Sequence, residues 1–214
     1  VMAVIPLGNK GAMFLMRAEM PGPTCDKLVP KSRGTAKILY GMYIFLSGVE
    51  VVLLLAGGMD PYNAVIHTFS TAGTGGFSSM NASVAAFDSA YIDGVITVFM
   101  LLFGINFNLY YLLLLKNVRA VVKSEELRAY LGIVVGAIAL ITVNILHLYE
   151  TPLRALRYAA FQVASIITTT GFVTANYELW PELSKTVILL LMIIGACAGS
   201  TGGGMKVSRI LILS

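Results

Sequence analysis

Long apolar blocks with almost no charged residues are the feature that most restricts the fold of this chain. Residues 39–58 contain a single charged side chain, Glu50, and residues 94–115, 130–149 and 186–205 contain none. The hydrocarbon core of a bilayer is about 30 Å thick and needs roughly 20 consecutive apolar residues per helix. The sequence therefore predicts four spans of an all-α polytopic membrane protein, with residues 1–16 as the tail of a preceding span.

The composition and motifs of the chain argue against a soluble globular domain and against an enzyme. Hydrophobic residues make up 57% of the chain and charged residues 12%, whereas soluble domains average roughly 45–50% and about 25%. No Ser-His-Asp, paired-carboxylate or Cys-Cys arrangement is placed for catalysis, so we do not expect an enzyme. Cys25 and Cys197 lie far apart and are expected to be free thiols. The chain starts and stops inside apolar stretches, which predicts a fragment of a longer membrane protein.

Orientation follows from the basic residues, because Lys and Arg are retained on the cytoplasmic side of short connections. The cations predicted to be cytosolic are Arg17, Lys27, Lys31, Arg33, Lys37, Lys116, Arg119, Lys123, Arg128, Lys206 and Arg209. The opposite side carries Arg154, Arg157 and Lys185 together with most of the acidic residues. This distribution accounts for the net charge of +4 without nucleic acid as a partner.

An internal repeat divides the chain. A capping side chain precedes a proline at 60–61 and at 151–152, which is typical of a helix start, and a Gly-Phe pair follows at 76–77 and at 171–172. Each half is therefore predicted to consist of a span, a half-helix, a polar loop and a second span. We predict a cytosolic linker at 17–38, a pore unit at 39–115, a second linker at 116–129 and a second pore unit at 130–214.

The two short segments are predicted to re-enter the membrane from outside. A helix of about ten residues is roughly 15 Å long and ends near the bilayer midplane. Irregular backbone at that depth is tolerated only where it is buried or lines water, and its carbonyls can replace the hydration shell of a cation. Residues 70–77 and 168–172 are small, hydroxyl-bearing and glycine-containing. We predict two selectivity-filter strands, with close helix packing as the alternative.

Two sets of motifs carry a family resemblance. The run HTFSTAGTGGFS at 67–78, with 99–107, resembles the second pore unit of TrkH-type potassium uptake subunits of the Trk/Ktr/HKT superfamily. Residues 165–172, with the glycine-rich run GACAGSTGGGMKV at 195–207, are similar to the third unit, and 17–23 resembles the linker after the first. The resemblance implies four units around one pore. It also implies potassium coordination by the backbone oxygens of Thr74, Gly75, Gly76, Thr169, Thr170 and Gly171.

The same resemblance implies the wider function. We expect potassium translocation across the inner (plasma) membrane, with K⁺ as the transported ion and no organic cofactor. The implied partners are membrane lipids, the missing pore units, a second copy in a homodimer and a cytosolic nucleotide-binding TrkA-like subunit. A sodium-permeable or sodium-coupled relative and a non-conducting membrane scaffold or truncated product remain alternatives, because two filter strands are absent.

The last predicted span is interrupted by a glycine-rich segment, residues 195–204. Each glycine inside a helix costs about 1 kcal/mol relative to alanine, so we predict a break. The family resemblance implies a gate here, and small residues would let it move with little steric resistance; tight helix packing is the alternative. The predicted gate residues are Gly195, Gly199, Ser200, Thr201, Gly202, Gly203, Gly204 and Lys206. A phosphate-binding loop is not expected, since no Ser or Thr follows Lys206.

The sequence also predicts roles for several isolated polar residues. Glu50 inside a span faces protein or water, either as a functional group or with a local partner. Asn106 and Asn108 face different sides of a helix, one near the filter and the other between helices. We expect His67 to be structural, and Arg157 to bind headgroups or acidic side chains.

Overall fold

The computed structural model describes residues 32–213, which form helices joined by irregular loops. The predicted tail at 1–16 and residues 17–31 of the first predicted linker lie outside these residues. The helices are α1 Ser32–Ala56, α2 Pro61–Ala72, α3 Ala90–Phe103, α4 Phe107–Leu114, α5 Val118–Val122, α6 Glu125–Ile145, α7 Pro152–Ile167, α8 Glu182–Ile193 and α9 Val207–Leu213. Short 3₁₀ turns occupy Ser83–Phe87, Leu146–Leu148 and Tyr177–Leu179.

Two helical segments are long and apolar enough to cross a bilayer. They are Lys37–Ala56 in α1 and Glu125–Leu148, which combines α6 with the 3₁₀ turn after it. Both overlap the predicted spans at 39–58 and 130–149. Together with the half-helices and loops between them, they give the predicted all-α architecture of repeated helix, re-entrant half-helix, loop and helix units.

The predicted span at 94–115 is not one straight helix. Instead α3 and α4 meet at an angle of 90°. Gly104 is the C-cap of α3, and the side chain of Asn106 caps α4 by accepting a hydrogen bond from the backbone N–H of Asn108 at 2.9 Å. A glycine followed two residues later by a capping Asn therefore ends one helix and starts another inside an apolar block. The prediction of a continuous span here is wrong for that reason.

The predicted span at 186–205 is also interrupted. Helix α8 ends at Ile193, and α9 begins only at Val207. The intervening residues 194–206, named the glycine-rich loop below, coincide with the break that the glycines predict. The sequence predicts four full-length spans. Residues 32–213 contain two, or three if the bent pair α3–α4 crosses the membrane as one span.

Both half-helices begin as the cap-plus-proline pattern predicts. The Asp60 carboxylate accepts from the backbone N–H of Tyr62 at 3.1 Å, and the Thr151 hydroxyl accepts from that of Arg154 at 3.4 Å. The helices have 12 and 16 residues, which corresponds to roughly 18 and 24 Å. Helix α7 is therefore longer than the half-helix of about ten residues that the sequence predicts.

The two units pack directly against each other through α3 and α7. Buried Ile96 and Met100 of α3 share one apolar cluster with Phe161 and Ala164 of α7. The Arg157 guanidinium of α7 bonds the Asp93 carboxylate of α3 through Nε and Oδ2 at 2.7 Å. Asp93 is only 2% exposed, so this ion pair is a buried joint between the units, and it confirms an acidic partner for Arg157.

Removing one partner of that joint should destabilise the protein strongly. Arg157→Ala leaves the buried Asp93 carboxylate uncompensated, which should lower the free energy of unfolding by about 3–5 kcal/mol. Arg154→Ala is the matched control on the same helix, because Arg154 pairs with Glu150 at 3.7 Å with side chains 52% and 87% exposed; such pairs contribute about 0–1 kcal/mol. Unfolding of the full-length protein in detergent measures both. Equal losses of stability in the two variants would contradict a stabilising role of the buried Arg157–Asp93 pair.

Candidate functional site

The loops that follow the two half-helices share an unusual backbone. Residues 73–77 and 168–172, named the filter loops after their predicted role, are related by one constant shift along the sequence. Thr74 and Thr169 have φ of 50° and 58°, and Gly76 and Gly171 have φ of 67° and 88°. Left-handed backbone is rare for a β-branched residue and costs on the order of 1–3 kcal/mol. Its recurrence at equivalent positions shows that the two loops share one strained backbone conformation.

Hydrogen bonding in the filter loops is one-sided. The backbone N–H groups of Gly75 and Thr170 donate to the carbonyls of Ser70 and Ser165, at 2.8 and 2.9 Å, in the last turns of α2 and α7. By contrast, no donor from residues 32–213 reaches the carbonyl oxygens of Thr74, Gly75, Gly76, Thr169, Thr170 or Gly171. These six acceptors are therefore available to a ligand.

The two filter loops lie side by side. A Cβ on Gly76 would overlap the carbonyl of Thr170, whereas a Cβ on Gly171 would meet nothing within 4 Å among the described atoms. Phe172 of the second loop is fully buried and stacks on the ring of His67 in α2, with centroids 5.6 Å apart. Helix α2 thus supports the filter loop of the second unit as well as its own.

His67 has the structural role that its isolation predicts. Its Nδ1 lies 2.8 Å from the carbonyl of Asn63, and its Nε2 lies 2.9 Å from the hydroxyl of Ser78. The ring therefore ties α2 to the chain that leaves the first filter loop. Glu50 differs, because its fully buried carboxylate faces the Thr71 hydroxyl, which donates to the carbonyl of His67 at 2.8 Å.

The glycine-rich loop is closed at its own ends. Ile194 and Met205 form an isolated β-bridge, and the N–H of Gly195 donates to the carbonyl of Met205 at 2.8 Å. A Cβ on Gly195 would overlap the carbonyl of Gly203 and come within 2.9 Å of the Gly204 backbone. The glycines are thus needed for close backbone approach, and the expectation of a loop that meets little steric resistance does not hold in this arrangement.

The glycine-rich loop also bonds both filter loops. The Thr74 hydroxyl donates to the carbonyl of Thr201 at 3.1 Å, and the N–H of Gly203 donates to the hydroxyl of Thr169 at 2.7 Å. The same two threonines carry the left-handed backbone. Their side chains therefore link the predicted filter to the predicted gate in both units.

The bend between α3 and α4 supports the loop from a third side. The N–H groups of Cys197 and Thr201 donate to the carbonyls of Gly104 and Phe103, at 3.1 and 3.3 Å. In return, the carbonyl of Gly199 accepts from the N–H of Phe107 at 3.0 Å. This support was not predicted from the sequence, although Gly104 and the capping Asn106 within an apolar block indicate a bend.

Two charged residues also form hydrogen bonds with the backbone of the glycine-rich loop. Lys206 Nζ donates to the carbonyl of Gly202, so this ammonium closes over its own loop. The Glu126 carboxylate in the first turn of α6 accepts from the N–H of Ala198 at 2.7 Å. No sequence signal pointed to Glu126, because this contact joins residues that are distant along the chain.

The fold and this site define a class: a polytopic membrane protein built from repeated pore-type units, each with a re-entrant half-helix. The model of the family described as "TrkH: Cation transport protein" matches residues 1–214. The chain belongs to the TrkH family of cation transport proteins.

Individual relatives agree with the family match. The Trk system potassium uptake protein TrkH of Salmonella typhimurium is 39% identical over 215 residues, covering 99% of this chain and 44% of that protein. TrkG of Escherichia coli K12 is 34% identical over 214 residues, with the same coverage of 99% and 44%. The crystal structure of the potassium transporter TrkH from Vibrio parahaemolyticus matches with a TM-score of 0.83 and 37% identity, over 96% of this chain and 45% of that one. The chain thus spans less than half the length of these relatives.

Close packing at the ends of the glycine-rich loop leads to a stability prediction. Gly195→Ala should lower the free energy of unfolding by about 1–3 kcal/mol, because the added methyl overlaps backbone atoms that have little freedom to shift. Gly136→Ala is the control: a Cβ there meets nothing within 4 Å, and alanine favours the helix by about 1 kcal/mol. Unfolding in detergent compares the two. A Gly195→Ala protein as stable as wild type would contradict the packed loop.

Proposed function

We propose that this chain supplies two pore units of a potassium-translocating membrane protein. In this proposal, K⁺ loses its hydration water to the carbonyls of Thr74, Gly75, Gly76, Thr169, Thr170 and Gly171. The observation that carries it is the repeated left-handed Thr and Gly pair in two adjacent loops, whose six carbonyls have no donor among residues 32–213. Backbone carbonyls without donors are the ligands that replace the hydration shell of a monovalent cation in selectivity filters.

The chemistry of the filter loops favours a monovalent cation. Residues 73–77 and 168–172 contain no Asp or Glu, whereas Ca²⁺ and Mg²⁺ sites in proteins rely on carboxylate oxygens. The C-terminal ends of α2 and α7 precede these loops, and a helix C-terminus carries a partial negative charge. Neutral carbonyls beside two such helix ends suit one positive charge better than two.

The glycine-rich loop is the proposed gate, formed by Gly195, Gly199, Ser200, Thr201, Gly202, Gly203, Gly204 and Lys206. Its hydrogen bonds to the Thr74 and Thr169 hydroxyls put it in contact with both filter loops. An ion that leaves the filter along these threonines meets the loop next. Flux therefore requires the loop to move, with rupture of part of this hydrogen-bond set.

The complete protein needs more than this chain. Residues 32–213 supply two filter loops, and filter backbone without a neighbouring unit would face lipid, where unpaired groups cost several kcal/mol each. From the family resemblance we propose two further pore units, a homodimer in the plasma membrane and a cytosolic nucleotide-binding subunit of the TrkA type. The basic linker that contains Lys116, Arg119 and Lys123 is the proposed cytosolic face.

Alanine at the two filter glycines should have unequal effects. Gly76→Ala combines left-handed strain with overlap of the Thr170 carbonyl and should reduce rubidium uptake by the full-length protein at least about tenfold, since roughly 1.4 kcal/mol suffices for that factor. Gly171→Ala adds strain without overlap and should have a smaller effect. Uptake of ⁸⁶Rb⁺ with sodium competition measures rate and ion preference.

Gly94→Ala is the control for this experiment, because a Cβ at Gly94 meets nothing within 4 Å. Wild-type uptake and preference in both filter variants would contradict the filter assignment. Equal wild-type transport of sodium and rubidium would favour a sodium-permeable relative. A folded full-length protein that transports neither ion would favour a non-conducting scaffold.

A further inference from the structure

The Glu126–Ala198 hydrogen bond stands apart from the other contacts of the glycine-rich loop. The loop bonds the rest of residues 32–213 through backbone carbonyls, threonine hydroxyls and the amides of Phe107 and Val207. Glu126 is the ionisable acceptor in this set. Hydrogen bonds to an ionised group are roughly twice as strong as neutral ones. One charged contact therefore adds a large share of the loop's attachment.

A second charge acts from within the loop. Lys206 is half-buried and donates to the Gly202 carbonyl, while Glu126 holds the opposite part of the loop at Ala198. Glu126, Lys206 and the thiol of Cys197 are close enough to interact electrostatically. The buried Cys197 thiol, adjacent to Ala198, is consequently a natural reporter of loop position.

Glu126 lies near the end of the predicted cytosolic linker at 116–129, and its bond to Ala198 joins that linker to the loop. Only Ser124 and Glu125 separate it from Lys123, an exposed cation of that linker. Helix α5 packs against both α4 and α6, so a displacement of the linker changes the first turn of α6. A protein that binds the linker would therefore act on the loop through Glu126.

A simpler role for Glu126 is a favourable charge at a helix N-terminus. Glu125 occupies the same turn of α6, is exposed, and would meet that need equally well. Of these two glutamates, Glu126 is the one whose carboxylate accepts the hydrogen bond from the Ala198 N–H. The pair therefore offers a matched control inside one helical turn.

We propose that Glu126 is a positioning residue of the gate: by accepting the Ala198 N–H, it holds the glycine-rich loop against the filter loops and couples that loop to residues 116–124 of the predicted linker. The proposal rests on the proposed function of the glycine-rich loop as the gate. It assigns Glu126 no contact with the ion. Loss of the carboxylate should therefore change how often the loop opens, and leave ion preference to the filter loops.

The test uses the full-length protein with Cys197 as its single cysteine, in inside-out vesicles. A membrane-impermeant maleimide reports access to Cys197, and ⁸⁶Rb⁺ uptake reports transport. Glu126→Ala should raise the labelling rate about tenfold, the factor expected for loss of one hydrogen bond to a charged group, and should raise the maximal uptake rate. The half-saturating rubidium concentration and the preference over sodium should stay at wild-type values.

Two variants separate the hydrogen bond from the charge. Glu126→Gln retains an oxygen that can accept the Ala198 N–H and should restore labelling to within about threefold of wild type. Glu125→Ala should behave as wild type. Should Glu126→Ala not insert, Glu126→Asp replaces it, because the shorter carboxylate does not reach Ala198 and should give the same increase.

Deletion of residues 202–204 serves as the reference for the gate itself. Wild-type labelling and uptake in Glu126→Ala, with raised uptake in the deletion, would overturn the role of Glu126 and leave the gate assignment in place. Wild-type uptake in Glu126→Ala and in the deletion would overturn the role of Glu126 and the gate assignment together. Equal effects of the Glu125 and Glu126 variants would overturn the proposal in favour of a helix-end charge.

Discussion

Backbone polar groups that leave regular helix inside a membrane must find partners, and most of this structure follows from that constraint. Most amides of the filter loops donate to carbonyls in the last turns of α2 and α7, whereas the carbonyls of residues 74–76 and 169–171 have no donor among the described residues. An asymmetry of this kind is costly in lipid and becomes useful only where a cation replaces the missing donors. The constraint thus links the fold of each half-helix to the proposed transport chemistry.

The same constraint explains why two helices break next to each other. The bend between α3 and α4 releases the carbonyls of Phe103 and Gly104, and the glycine-rich loop supplies the N–H groups of Thr201 and Cys197 to them. The carbonyl of Gly199 in turn accepts from Phe107 at the start of α4. Each interruption therefore satisfies backbone groups exposed by the other, across the boundary between the two units.

The sequence predicted features that depend on local chemistry. The caps at Asp60 and Thr151, the helix break at the glycines and the acidic partner of Arg157 are all present in the structure. The apolar pattern at 94–115 masked a local signal of the bend, the Gly104 cap and the capping Asn106. Other features depend on distant residues: α7 extends beyond the predicted half-helix, and α3, α6 and α8 pack along it. The Glu126–Ala198 contact had no local signal at all.

Direct observation of the ion tests the central claim most sharply. Crystals of the full-length protein grown with rubidium, measured at the rubidium absorption edge, should show anomalous peaks in contact with the carbonyls of residues 74–76 and 169–171. The peaks should fade when rubidium is replaced by sodium. Rubidium-grown crystals with ordered filter loops and no peak beside these carbonyls would contradict the account.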